Sequence, residues 1–281
     1  SSDVCSSDLP LWMVEELISI RGYEGAEAVL RADNEIAPVY IQTNTLRTTP
    51  ETLRSALGAE AHPTLDGCLL LGGGDFASAA EFRDGLFYVQ DPVAHMAVLA
   101  AEPRPGMRVL DVCAAPGGKS FAAAIAMEDR GEIVSRDVSA AKLNLVMDGA
   151  DRMGLSSIRC ETRDVRDTER EDFDLVIADL PCSGLGVIRK KPDIRYREKT
   201  ELDRLPALQM ELLDAASRAV RPGGRLLYST CTWREGENGA VATDFLKNHP
   251  EFEKSLERTF WPDLDGTDGF YICRMERKNV I

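Results

Sequence analysis

Apolar positions along the chain fall into two regimes. From Pro10 to Val89 they form short, mixed patterns. Leu11–Leu17 and Ala26–Arg31 carry apolar residues at three- and four-residue spacing, which predicts helix. Val39-Tyr40-Ile41-Gln42-Thr43 is β-branched and predicts a strand. Thr49-Pro50-Glu51-Thr52-Leu53 predicts a helix with Thr49 as N-cap and Pro50 in the first turn. Gly72-Gly73-Gly74 marks a loop. Residues 10–89 therefore read as a small α+β subdomain.

From Asp91 the pattern alternates between continuous apolar runs and helical stretches. Strands are predicted at Arg108–Val112, Glu132–Asp137, Asp174–Asp179 and Arg225–Thr230, and helices at Ser139–Met153 and Leu208–Val220. Strands without polar alternation are buried on both faces, as in a parallel sheet covered by helices. Residues 90–281 are thus expected to form a doubly wound α/β sheet, whose ligands bind beyond the carboxyl ends of the strands. Asp111 with Cys113, Asp137, Asp179 with Cys182, and Cys231 all fall at such ends.

Composition narrows the reading. The 281 residues are 44% hydrophobic and 28% charged, enough for a sizeable core and unlike a disordered chain. The net charge is -14, from 33 basic and 47 acidic side chains, which disfavours indiscriminate coating of nucleic acid. No apolar run approaches the roughly 18 residues of a membrane span. The seven cysteines are odd in number and contain no CxxC pair, so a reducing cytoplasm is expected, with neither a disulfide framework nor a metal site. A monomer is also expected. Ser1–Leu9, SSDVCSSDL, is polar and aperiodic, unlike a signal peptide. It resembles a translated sequencing adaptor, and a non-native start is expected there.

The run Val109-Leu110-Asp111-Val112-Cys113-Ala114-Ala115-Pro116-Gly117-Gly118-Lys119-Ser120 reads as strand, tight loop and helix start. Gly117 and Gly118 let a ligand approach the backbone, and the helix N-terminus offers free N–H groups. A phosphate-binding P-loop needs a further Gly where Cys113 stands, so that reading fails. Asp137 at a strand tip suits either a ribose diol or the N-cap of the next helix. Asp164 is ambiguous in the same way. Cys182 and Cys231 each follow a strand end. A lone cysteine is usually a packing residue, but a thiolate placed in a ligand crevice is a strong nucleophile.

Together Cys113–Lys119, the run Asp179-Leu180-Pro181-Cys182-Ser183-Gly184-Leu185-Gly186, and Ser229-Thr230-Cys231-Thr232 with Glu237-Asn238 resemble the RNA 5-methylcytosine methyltransferases of the Sun/Fmu/Nol1/Nop2 group. Arg189–Tyr196 points to its RsmB-like branch, which acts on 16S rRNA. Val89-Gln90-Asp91 and Asp268-Gly269-Phe270-Tyr271 are similar to the family too, so the likeness covers residues 10–281. It implies a Rossmann-like class I fold and S-adenosylmethionine (SAM) as cofactor. Cys113, Ala114, Ala115, Pro116, Gly117, Gly118 and Lys119 would surround its methionine part, Asp137 its ribose and Asp164 its adenine. Asp179 would face the reactive end and the base. Cys231 would be the nucleophile and Cys182 would assist product release.

The chain departs from the family in places. Ile41-Gln42-Thr43-Asn44 lacks the usual Arg before its Asn, and His95 replaces a frequent Ser and is expected to pack. The NusB-like domain of the nearest branch is not in this sequence, and truncation is expected. Residues 189–199 hold six basic and two acidic side chains, so Arg189, Lys190, Lys191 and Arg195 are candidate phosphate contacts. The implied partner is RNA, 16S rRNA first, with tRNA or another rRNA as the alternative and a non-catalytic assembly factor as the rival class.

Overall fold

The computed structural model describes residues 9–73 and 75–279; Cys5, nearly all of the adaptor-like start, and Gly74 of the predicted loop lie outside them. The first helix, α1 (Leu11–Asp33), joins both predicted helical stretches. It bends at Gly22, whose φ of 69° is the left-handed region that glycine enters at little cost. A four-stranded antiparallel sheet follows, with β1 (Val39–Thr43), β2 (Glu60–Ala61), β3 (Cys68–Leu71) and β4 (Phe87–Val89) in the order β2-β3-β1-β4. Helices α2 (Pro50–Leu57) and α3 (Ala80–Arg83) lie between its strands. Thr49 caps α2 by accepting the Thr52 N–H. Ile41, Leu53, Leu69 and Phe87 form the core of this part. Helix α1 packs elsewhere: Met13, Leu17, Val29 and Leu30 meet Leu185, Ile188 and Trp233.

After α4 (Pro92–Ala100) the chain alternates β5 (Arg108–Asp111), α5 (Gly118–Ala126), β6 (Glu132–Asp137), α6 (Ala140–Met153), β7 (Ile158–Thr162) and β8 (Phe173–Asp179). Helices α7 (Lys199–Leu202) and α8 (Leu205–Ser217) lead to β9 (Val220–Thr230), then α9 (Gly239–Asn248), β10 (Phe252–Phe260), α10 (Pro262–Asp265) and β11 (Phe270–Arg277). The seven-stranded sheet has the order β10-β11-β9-β8-β5-β6-β7. Successive strand residues feed opposite cores, because side chains alternate across a strand. Val109, Ile133, Leu175 and Leu227 face the layer that includes Val98, Phe121 and Val146. Their neighbours Leu110, Val134, Val176 and Leu226 face Leu213, Ala216 and Phe245. This two-sided burial explains the continuous apolar runs.

The sheet is mixed where a parallel one was expected. Strands β5 to β9 run parallel, but β11 pairs antiparallel with both β9 and β10. The predicted helix end at Val220 also moves: α8 stops at Ser217, and Val220 pairs with Phe173 as the first residue of β9. The small sheet is fastened to α6. Asn44 Nδ2 donates to the carbonyls of Gly85 and Met153, each at 3.0 Å. Arg152 Nη1 donates to the carbonyls of Phe82 and Phe87 at 2.5 and 3.1 Å, and its guanidinium stacks on Phe82. A Cβ on Gly85 would lie 2.1 Å from the Arg152 carbonyl oxygen, so only glycine permits this approach. Among the described residues no helix is long and apolar enough to cross a membrane.

Candidate active site

Strand β5 ends on Asp111, which is buried and accepts from Ser120 Oγ at 2.8 Å; burial pushes its carboxyl up to about 7. The chain then makes a tight loop through a cis Ala115–Pro116 bond into α5. Gly117 has φ 114°, and a Cβ there would lie 2.4 Å from the Phe121 ring. Lys119 lies in the first turn of α5. Its Nζ donates to Asp179 Oδ2 at 2.6 Å, and Ser229 Oγ donates to Asp179 Oδ1 at 2.7 Å. Burial alone would lower the Lys119 pKa, but the Asp179 carboxylate outweighs it and the net shift is upward. Sequence places Lys119 in the loop but carries no signal for this pair, because the two residues are 60 positions apart and only the sheet order joins them.

Asp137 ends β6. It is not the cap of α6: Ser139 is, accepting the Lys142 N–H, while Asp137 Oδ1 accepts the Ser139 N–H at 2.9 Å. Asp164 does cap the single turn Val165–Asp167, and Arg166 pairs with it at 2.6 Å, holding its carboxyl below the usual range. Asp137 and Asp164 both line a cavity of about 570 Å³, together with Cys113, Asp179, Cys182 and Cys231. A neighbouring cavity of about 830 Å³ shares Cys113, Ala115 and Asp179, and has Phe82, Tyr88 and Phe121 among its walls.

In the smaller cavity the two thiols touch, with Cys182 Sγ and Cys231 Sγ 3.3 Å apart. Their contact shifts them in opposite directions. Cys182 is pushed well above the ordinary thiol value by the contact with Cys231 and by burial. Cys231 is lowered by the same contact, against burial and Asp179 and with help from Lys119 and Lys191. Elsewhere burial raises Cys68 and Cys273 to about 12, and raises Cys113 and Cys160 as well. Burial likewise drops His95 to about 4, so it is neutral beside Tyr88 Oη at 3.1 Å, in keeping with a packing residue.

A matching family model, 16S rRNA methyltransferase RsmB/F, covers residues 98–276. The chain belongs to this family. Among its relatives is the probable ribosomal RNA small subunit methyltransferase B of Bacillus subtilis, 35% identical over 96% of this chain and 66% of that protein. Another is ribosomal RNA small subunit methyltransferase F of Escherichia coli, 34% identical over 73% of this chain and 47% of that protein. The chain thus spans two thirds or less of either relative's length. The crystal structure of NSun6 from Pyrococcus horikoshii with SFG has the same fold, at a TM-score of 0.89 and 19% identity over 98% of this chain and 100% of that one.

This RsmB/F chain does not present the basic segment as its sequence suggested. Arg189 is engaged inside the protein, and Lys190, although exposed, is held by two carboxylates. Arg189 lies 3.1 Å from Asp268, with both side chains 5% exposed, and Lys190 reaches Asp268 at 2.7 Å and Asp91 at 2.6 Å. Those carboxylates lie far away in sequence, so a local charge count could not see them. Arg195 donates to Asn34 Oδ1 at 2.9 Å. Lys191 is exposed and lines the thiol cavity. Consequently Arg189→Ala is expected to lower stability by about 1.5 kcal/mol or more, since it removes one of the two cations on the buried Asp268 and leaves only Lys190, with little change in the salt dependence of RNA binding. Lys191→Ala is expected to leave stability unchanged and reduce the salt slope by about 1. Thermal melts and salt titrations of both variants check this; the reverse pattern would return Arg189 to the RNA surface.

Proposed function

We propose that the chain methylates C5 of a cytosine in RNA, 16S rRNA first, through a covalent Cys231–C6 adduct. The observation that carries this is the thiol pair, with Cys182 Sγ and Cys231 Sγ 3.3 Å apart in one cavity with Asp179, the carboxylate to which Lys119 donates. The reducing cytoplasm suits an activity that depends on free thiols.

The residues fit the cofactor that the family implies. Asp137 stands at the tip of β6 on the cavity, where a carboxylate can accept from both hydroxyls of a ribose. Asp164 lines the cavity beside it, where an adenine would lie, and the loop Cys113–Lys119 gives Cys113 and Ala115 to its wall and Ala114, Pro116, Gly118 and Lys119 to the neighbouring cavity. When bound, SAM supplies the electrophilic sulfonium methyl that the activated C5 takes. The protein's own groups do the rest. The Cys231 thiolate adds to C6 and makes C5 electron-rich. Lys119 offers positive charge where the ring gains electrons, and Asp179 accepts from the base edge. Cys182 then serves the loss of the C5 proton and the breaking of the C6–S bond. Lys191 stands at the cavity rim for a phosphate.

Expression in cells lacking the endogenous methyltransferases, followed by bisulfite sequencing of rRNA and tRNA, tests the reading. A restored 5-methylcytosine in 16S rRNA is expected. A mark in tRNA or another rRNA would redirect the substrate, and no mark in any RNA would favour an assembly factor. Asp137→Ala removes two ribose hydrogen bonds of about 1 kcal/mol each, so SAM affinity is expected to fall roughly tenfold or more with the fold intact. Calorimetry checks this, and unchanged affinity would remove Asp137 from the cofactor site.

A further inference from the structure

The thiols sit on two loops that leave the paired strands β8 and β9, and beyond the last ladder bonds and the Gly186 N–H to Cys231 carbonyl contact a buried side-chain network ties these loops together. Glu237 is completely buried in the turn Glu235–Glu237 that follows Cys231. Its Oε2 accepts the Ser183 N–H at 2.8 Å and Gln209 Nε2 at 3.0 Å. Gln209 Nε2, from α8, also donates to the Pro181 carbonyl at 3.0 Å. Both neighbours of Cys182 are thus pinned to one carboxylate–carboxamide pair. The same network holds the neighbours of Cys231. Ser183 Oγ donates to Thr232 Oγ1 at 2.8 Å, Asn238 Nδ2 to the Thr232 carbonyl at 2.9 Å, and Thr230 Oγ1 to Asn238 Oδ1 at 2.6 Å. Tyr228 Oη donates to the Glu237 carbonyl. Arg234 Nη1 lies 3.7 Å from Glu237 Oε1 and offsets the buried charge.

We infer that Glu237 and Gln209 are positioning residues that hold Cys182 against Cys231 and thereby set the speed of product release. Neither lines the cavity, so neither touches substrate. Cys182 needs such a brace. It lies in the turn between β8 and the single turn Leu185–Val187, and a thiol hydrogen bond is a weak tether. A misplacement of about 1 Å can cost a catalytic group roughly 100-fold. The inference rests on the proposed division of labour, attack by Cys231 and release through Cys182.

The test uses the full chain with Gln209→Leu and Glu237→Gln, since the Gln side chain keeps one acceptor and spares the fold. Diamide reads the geometry alone: the two thiols give up two electrons and two protons, a disulfide forms, and the diazene is reduced to the hydrazine. Peptide mapping is expected to show Cys182–Cys231 bridging about tenfold slower in both variants, with SAM affinity unchanged. With RNA, both are expected to accumulate a covalent conjugate, and turnover to fall about tenfold while the first methyl transfer stays within about twofold. Unchanged bridging in both variants would overturn the inference. So would slowed bridging without a conjugate, provided Cys182→Ala does form one. If Cys182→Ala forms none either, the division of labour beneath the inference is what falls.

Discussion

Cys231→Ala is expected to yield neither methylated RNA nor a protein–RNA conjugate, whereas Cys182→Ala is expected to transfer one methyl group and then remain attached. The order of use separates them. Removing the nucleophile stops the reaction before any bond forms, and removing the release group stops it afterwards. The double variant is expected to behave as Cys231→Ala does. Denaturing gels of labelled RNA with each variant read the outcome, and a conjugate only in Cys231→Ala would exchange the two roles. The thiol contact adds a pH signature. The Cys182 hydrogen bond is the largest influence lowering Cys231, so without it the Cys231 pKa rises. Conjugate formation by Cys182→Ala is therefore expected to need higher pH than attack by the parent protein, because less thiolate is present at a given pH.

Lys119→Met is expected to lower methyl transfer by about 100-fold or more, a range typical of a lost electrostatic group at a reacting centre. The Lys119 side chain is 13% exposed, and its partner Asp179 is 29% exposed. Removing the ammonium leaves Asp179 close to Asp111 without compensation, and breaking such a pair costs about 3 kcal/mol or more. It also removes one of the positive charges that favour the Cys231 thiolate. Single-turnover rates measured at saturating SAM, with melts in parallel, isolate the chemical effect. A rate within twofold of the parent would take the pair out of the mechanism.

Much of this architecture was legible because burial writes itself into sequence. Strands β5 and β8 are covered on both faces and carry the unbroken runs Val109-Leu110 and Leu175–Ala178, while β6 is covered as well but follows Ile133-Val134 with the buried polar Ser135 and Arg136. Strands β7 and β10 carry no such run, because their outer positions meet water. In β10 only Phe252 and Phe260 are buried, so no run marks it. The loop Cys113–Lys119 and the two thiols were marked by residue type at strand ends. Their partners were not. Lys119–Asp179, Arg189–Asp268 and Glu237–Ser183 each join residues brought together only by the order of strands in the sheet. A local charge count therefore cannot show that Arg189 and Lys190 are already paired, because their shared carboxylate lies 79 and 78 positions onward.

The fastening of the small sheet bears on how the molecule can be divided. A fragment starting at residue 90 follows the sequence boundary neatly, yet it would cut through shared bonds. Arg152 would lose the carbonyls of Phe82 and Phe87, and Met153 would lose Asn44. The apolar face of α1 would be stripped from Leu185, Ile188 and Trp233, which follow Cys182 and Cys231 in the chain. The catalytic half would then expose raw core beside its own thiols. Residues 10–89 also supply Phe76, Phe82, Tyr88 and Val89 to the larger of the two neighbouring cavities, so expression of either half alone would yield a piece with an unfinished interior.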